Sequence, residues 1–263
     1  MANQKLPQTL VSIAALFLMV ANMALSKTTH FAVPPALTFQ GDAFDPNDTS
    51  FIRLTTSHTW SVGRVMYSKP LTFWGEGKQV HFKTKISFNI TSIAGNKADG
   101  VALFMVPVGP PIPNGGAGGN LGLFDSSGVG KSIFAVKFDT HANVWDPPCR
   151  HIGINVNSRV PVAHKCMDDS VNWEDVTLSI NYDEADKIIT VRAQVGLTKH
   201  YDLSHKLDLS TILEKKVQVG LSASTGTNIA LHDINYWEFT ANMICDSDSD
   251  SVDGAGIRQL VST

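Results

Sequence analysis

Apolar and polar residues alternate with a period of two along much of the chain. Val80, Phe82, Thr84, Ile86 and Phe88 alternate with His81, Lys83, Lys85, Ser87 and Asn89. On an extended backbone this order sends one set to a core and the other to solvent, so a half-buried strand is predicted there. Val176, Leu178, Ile180 and Tyr182 repeat the pattern, and Ile189, Val191, Ala193 and Val195 resume it after the turn-forming Asp183-Glu184-Ala185-Asp186, which predicts a hairpin. Val217, Val219 and Leu221 predict a further strand. By contrast, Val101 to Val106 is apolar at every position and Ile133 to Phe138 is nearly so, as expected of strands covered on both faces. Helical spacing is confined to Leu207 to Leu213, enough for one short turn. The fold class is therefore all-β: antiparallel sheets packed as a β-sandwich.

Gly109 to Gly119 is too long and too rich in Gly and Pro for a hairpin turn, and reads as a shaped binding loop. At the N-terminus, Lys5 precedes the apolar run Leu10 to Leu25, and Ala24-Leu25-Ser26 offers the small residues a signal peptidase accepts. Residues 1–26 are thus expected to be a removed signal peptide. The run is short for a membrane span and lacks a stop-transfer flank, so no membrane insertion is expected. The sandwich would occupy 27–245, and the acidic tail 246–263 has little to bury and should be disordered. Passage through the secretory pathway to an extracellular or vacuolar location follows, and Asn47 and Asn89 head acceptor sequons for glycosylation.

Composition adds limits. The 263 residues are 43% hydrophobic, enough for one sizeable domain. A net charge of -3 without a Lys or Arg run gives no footprint for nucleic acid or an anionic membrane. Three cysteines, Cys149, Cys166 and Cys245, allow at most one bridge within the chain.

The chemistry is concentrated between Phe134 and His151. A strand ends at Asp139 and gives way to a loop carrying Asn143 and Asp146, side chains whose oxygens suit calcium. His151, at the start of the next strand, adds an imidazole that favours a transition metal such as manganese beside the calcium. The plainer alternative is that Asp and Asn only shape a turn and His151 lies on the surface.

The segment Val136-Lys137-Phe138-Asp139, Asn143, Trp145-Asp146-Pro147 and His151-Ile152-Gly153 resembles the metal loop of legume lectins, in order and spacing. Four further blocks match in register: Ala98-Asp99-Gly100, Gly118-Gly119-Asn120-Leu121-Gly122, Val219 to Gly226, and Tyr236-Trp237-Glu238-Phe239. The resemblance covers most of residues 28–245 and is weakest before residue 70. It implies the legume-lectin jelly-roll sandwich and a non-catalytic protein whose partners are glycans or glycoproteins. It also implies a cis peptide between Ala98 and Asp99, and pairing into a homodimer or tetramer. The sugar would sit against Asp99, the backbone of Gly119 and Asn143, beside His141, with Thr227 and Asn228 selecting which sugar fits. Asp139, the His141 carbonyl, Asn143, Asp146 and His151 would hold the metals.

Two positions depart from the family pattern. Lys137 stands where a transition-metal ligand Glu is expected, and strand parity points it to the same side as Asp139. A cation there opposes a metal cation, which predicts loss of the manganese site, with Lys137 paired to Asp139 or Asp146 instead. His141 replaces an aromatic residue that would stack better on a sugar. Two functions therefore stand: a secreted calcium-dependent lectin, or a lectin-like defence or storage protein with weakened or lost metal and sugar binding. A glycoside hydrolase needs two carboxylates about 5 to 9 Å apart, and the strand carrying Asp139 offers no second acid on that face.

Overall fold

The longest run of alternation builds one of the longest strands of the fold because each second side chain finds an apolar partner across the sandwich. The computed structural model describes residues 25–32, 36–46, 50–75, 78–93, 97–168 and 175–245. Most of the expected signal peptide, Asn47 with its sequon, and the acidic tail lie outside the described residues. The strands in chain order are β1 (Leu25–Ala32), β2 (Leu37–Gly41), β3 (Ile52–Arg53), β4 (Val62–Tyr67), β5 (Leu71–Thr72), β6 (Lys78–Ser92), β7 (Gly100–Pro107), β8 (Val129–Asp139), β9 (His151–Ser158), β10 (Pro161–Cys166), β11 (Val176–Asp183), β12 (Ile188–Val195), β13 (Lys199–Lys206), β14 (Lys216–Ser224) and β15 (Ala230–Cys245). A short 3-10 turn, Leu209–Thr211, is all that the helical spacing at 207–213 produces; Asp208 caps it by accepting from the Ser210 N–H.

Among the described residues, one sheet runs β1-β15-β6-β11-β12-β13, with β3 also on β15. The second runs β10-β9-β8-β7-β14-β4-β2, with β5 also on β14. All the pairings are antiparallel, and the expected hairpin pairs Val176 with Val195 through to Asp183 with Ile188. Its turn is closed by the Asp183 carboxylate, which accepts from the Ala185 and Asp186 N–H groups. Among the described residues, sheet pairing begins at Leu25, two residues inside the expected leader.

Between the sheets, Phe82, Ile86 and Phe88 of β6 meet Phe134, Val136 and Phe138 of β8, all fully buried. The Phe82 ring stacks on Phe239 at 5.5 Å and tilts against Tyr182 at 5.7 Å. Truncating such a ring to alanine costs about 3 to 5 kcal/mol, since the cavity adds to the lost transfer energy.

The wholly apolar β7 is explained by a third layer. Val101, Leu103 and Met105 face the sandwich core, whereas Ala102, Phe104 and Val106 face Leu121, Leu123 and Phe124 from the glycine-rich loop. The buried Arg64 guanidinium fastens that loop: it donates to the Gly122 carbonyl through Nε at 2.6 Å and through Nη2, and lies 5.1 Å from the centre of the Phe104 ring. Burial lowers its pKa to about 10.

Candidate functional site

The site lies where the ends of β7, β8 and β9 meet the glycine loop. Strand register places Asp139 beside both Gly100 and His151, so residues far apart in sequence become neighbours. The peptide joining Ala98 to Asp99 is cis. The Asp99 N–H donates to the Ser224 carbonyl at 2.8 Å, and its own carbonyl accepts from the Thr140 N–H at 2.9 Å. This fixes the Asp99 carboxylate between β14 and the metal loop.

The loop from Thr140 to Arg150 is shaped by its own polar groups. Asp139 Oδ1 accepts from the His141 N–H at 3.0 Å, and Asp146 Oδ2 accepts from the Asn143 N–H at 2.9 Å. Arg150 Nε donates to the Thr140 carbonyl at 3.1 Å. A disulfide between Cys149 and Cys166 ties the end of the loop to β10, opposite His151 in the β9–β10 pairing. His151 is fully buried, contrary to the surface alternative, and its Nδ1 lies 3.1 Å from the Cys149 carbonyl. A carbonyl only accepts, so that contact assigns a proton to Nδ1 and leaves Nε2 facing Asp146 Oδ1 at 4.0 Å.

Asp139, Asp146 and His151 thus form a group able to hold a metal, yet the Lys137 ammonium stands among them. It lies 2.8 Å from Asp139 Oδ2 and 3.8 Å from Asp146 Oδ1, with all three side chains fully buried. The short contact is an ion pair without the alignment of a hydrogen bond. These residues do not fit a transition metal, because a buried cation already neutralises its ligands. A glutamate with a divalent ion carries one net positive charge, and a lysine alone carries the same.

The oxygens on the other side of the loop behave differently. The Asn143 Oδ1 position lies 3.3 Å from the His141 carbonyl and 3.0 Å from Asp146 Oδ2, so oxygen faces oxygen unless the amide is turned to present its NH2. The His141 carbonyl, the Asn143 amide and the Asp146 carboxylate gathered there are the oxygen donor types that calcium takes.

Burial pushes the Asp99 carboxyl up to about 7, with repulsion from Asp139 adding to it and Lys137 opposing it. Burial and then Asp139 also raise Asp146, again against Lys137. His151 is lowered by burial, only partly offset by Asp139. Burial is the largest cause in all three, and it disfavours the charged form of each group.

Above the loop is a hollow of about 270 Å³. It brings together every residue the sequence nominated for carbohydrate: Asp99, Gly119, His141, Asn143, Thr227 and Asn228. Asp99 Oδ2 is buried without a hydrogen-bond partner. Gly119 has no room for a side chain, since a Cβ would meet Asn143 Oδ1 at 2.2 Å and Trp145 Cζ2 at 3.0 Å. Trp145 is in turn held under the Arg159 guanidinium, 3.6 Å from its ring centre. A larger hollow of about 980 Å³ opens on the outer face of the other sheet, lined by Lys83, Lys85, Arg192 and Asp202, away from these groups.

The legume lectin domain model matches residues 27–253. The chain belongs to the legume lectin family. A mannose/glucose-specific lectin of Centrolobium tomentosum is 36% identical over 199 residues, 70% of this chain and 79% of that protein. Peanut lectin superposes with a TM-score of 0.78 at 32% identity, covering 84% of this chain and 100% of its own. A winged bean acidic lectin complexed with methyl-α-D-galactose has a TM-score of 0.75 at 33% identity, over 82% of this chain and 99% of its own. The family is one of non-catalytic lectins that bind carbohydrate and metal ions, and this legume lectin is not an enzyme.

Three residues outside the nominated sugar and metal positions also build this legume lectin's site. Asn120 lines the hollow, Arg159 braces Trp145, and Arg64 anchors the glycine loop, while Trp60 stands at the rim. Trp145, part of the metal-loop motif, also forms a wall of the hollow.

Proposed function

We propose that this chain is a secreted, calcium-dependent lectin that binds the terminal sugar of a glycan in the hollow over Asp99. The observation that carries the reading is the convergence of the Asp99 carboxylate, the side-chain-free Gly119 and the Asn143 amide around one hollow. The buried Asp99 Oδ2 without a partner is an acceptor waiting for a hydroxyl, and leaving such an atom unmatched costs roughly 1 to 3 kcal/mol. Asp139, the His141 carbonyl, Asn143 and Asp146 would hold calcium, which supplies positive charge and keeps the Asn143 oxygen turned inward. The amide NH2 is then free to donate to the sugar, so ion and sugar are coupled through one side chain. Lys137 stands in for the transition metal. The Cys149–Cys166 disulfide supports secretion, because such bonds persist in oxidising compartments.

A second reading, a lectin-like defence or storage protein without sugar binding, draws on Lys137 and on the poor stacking surface of His141. Calorimetric titration with methyl-α-galactoside, methyl-α-mannoside and a wider glycan panel separates the two. Saturable binding at one site per chain, lost in Asp99→Asn at unchanged melting temperature, is the expected result. Failure of every glycan to bind would support the second reading.

A further inference from the structure

The indole of Trp60 is 60% exposed at the rim of the hollow. Its backbone sits at φ 60, the left-handed region that bulky side chains avoid. Strain of that kind persists only where the surroundings over-determine it, and here they do. The Trp60 N–H donates to the Gly226 carbonyl at 3.1 Å. The next residue, Ser61, donates its N–H to Thr225 Oγ1 at 2.9 Å and its hydroxyl to Asp42 at 2.6 Å. Thr225 closes the ring of bonds by donating to the His58 carbonyl at 2.8 Å. A rigid base therefore holds a large apolar ring out in water.

The ring also has a defined position relative to the sugar groups. Gly226 lies between Trp60 and Asp99: it bonds Trp60 through its carbonyl, and a Cβ on it would stand 3.1 Å from Asp99 Oδ2. Gly118, at φ +64, lies against the same indole, with a Cβ there 3.3 Å from Trp60 Cζ3. Trp145, also on the lining of the hollow, already carries the Arg159 guanidinium over its ring. Trp60 alone of the two presents a broad face to an incoming ligand.

We propose that Trp60 is the platform of a second subsite, on which the next pyranose ring of an oligosaccharide stacks its C–H face while the terminal sugar occupies the hollow over Asp99. This rests on the carbohydrate-binding reading above. The subsite is continuous with the primary hollow, and Ser126, Thr227 and Asn228 around the rim provide donors and acceptors for hydroxyls that the indole leaves free. Stacking on an exposed aromatic ring corresponds to about three- to tenfold in affinity.

The test compares a methyl glycoside that binds with disaccharides that carry the same terminal sugar in each linkage. The wild-type protein and the Trp60→Ala and Trp60→Phe variants are titrated calorimetrically in calcium. At least one linkage should bind the wild type about three- to tenfold more tightly than the methyl glycoside. Trp60→Ala should lose that gain and keep the methyl glycoside affinity, whereas Trp60→Phe should retain most of it. Equal loss for monosaccharide and disaccharide in Trp60→Ala would mean that the residue only supports the fold of the site, and would overturn the subsite. So would a wild type indifferent to every second ring. If the methyl glycoside itself fails to bind, the primary reading falls first and the subsite falls with it.

Discussion

Replacing Gly119 with alanine places one methyl group at the centre of the site. The added Cβ would stand 2.2 Å from Asn143 Oδ1, and ordinary contact begins at 3.4 Å, so the amide must retreat by roughly 1.2 Å. Trp145 blocks the other direction, because its Cζ2 is 3.0 Å from the same Cβ and Arg159 holds its ring from behind. Overpacking of this kind costs about 1 to 3 kcal/mol. If Asn143 relieves it by turning out of the hollow, the free protein recovers most of that energy and the complex does not. The cost then appears in sugar affinity, as a loss of about 5- to 150-fold, with melting in the absence of sugar little changed. Titration calorimetry in calcium, alongside thermal melting, reads both quantities. Wild-type affinity in Gly119→Ala would refute the reasoning, because the sugar would then not depend on the contact between Gly119 and Asn143.

Three further outcomes follow from particular residues. Lys137→Glu removes the ammonium that stands among Asp139, Asp146 and His151, and should gain a tight manganese site visible by electron paramagnetic resonance in saturating calcium; the wild type should take up none, and uptake there would contradict the assignment. His232 is fully buried against Thr55, and burial pushes its pKa down to about 3, below the unfolded value of about 6.5. The folded state therefore binds fewer protons than the unfolded one, and the stability present above about pH 6.5 is lost towards pH 3 at up to about 1.4 kcal/mol per unit. Asp99 and Asp146, raised in the folded state, act in the opposite sense, so denaturant titrations of the wild type should be read against His232→Asn; a difference that does not change between about pH 6 and about pH 4 would contradict the assignment. The disulfide closes a loop with a sequence separation of 17, which is worth about 3 kcal/mol by loop entropy, and Cys149→Ser with Cys166→Ser should lose about that much in urea unfolding. Unchanged stability would show that the hairpin and the loop hold themselves.

The sandwich was legible because its determinants are local. Alternation at 80–89 and 176–195 states which side chains face inward, and strand parity alone put Lys137 beside Asp139. The apolar β7 announced a cover on both faces but not its source, the glycine loop, since a loop's path is set by distant groups such as Arg64. Buried Arg64 and His232 carry no local signal at all: each reads as a surface residue until partners 58 and 177 positions away, Gly122 and Thr55, satisfy it. Pairing of Cys149 with Cys166 followed from the β9–β10 register, which no count of cysteines contains. Trp60 lies in the stretch where the family pattern is weakest, and nothing in Thr59-Trp60-Ser61 marks a binding wall.

Sugar affinity of the wild-type protein, measured before and after calcium is removed with a chelator and then restored, tests the coupled site most directly. Binding that falls at least tenfold on chelation and returns with calcium alone, without manganese, is the expected result. Binding untouched by chelation, or restored only when manganese is added, would contradict a site in which calcium positions Asn143 and Lys137 replaces the second metal.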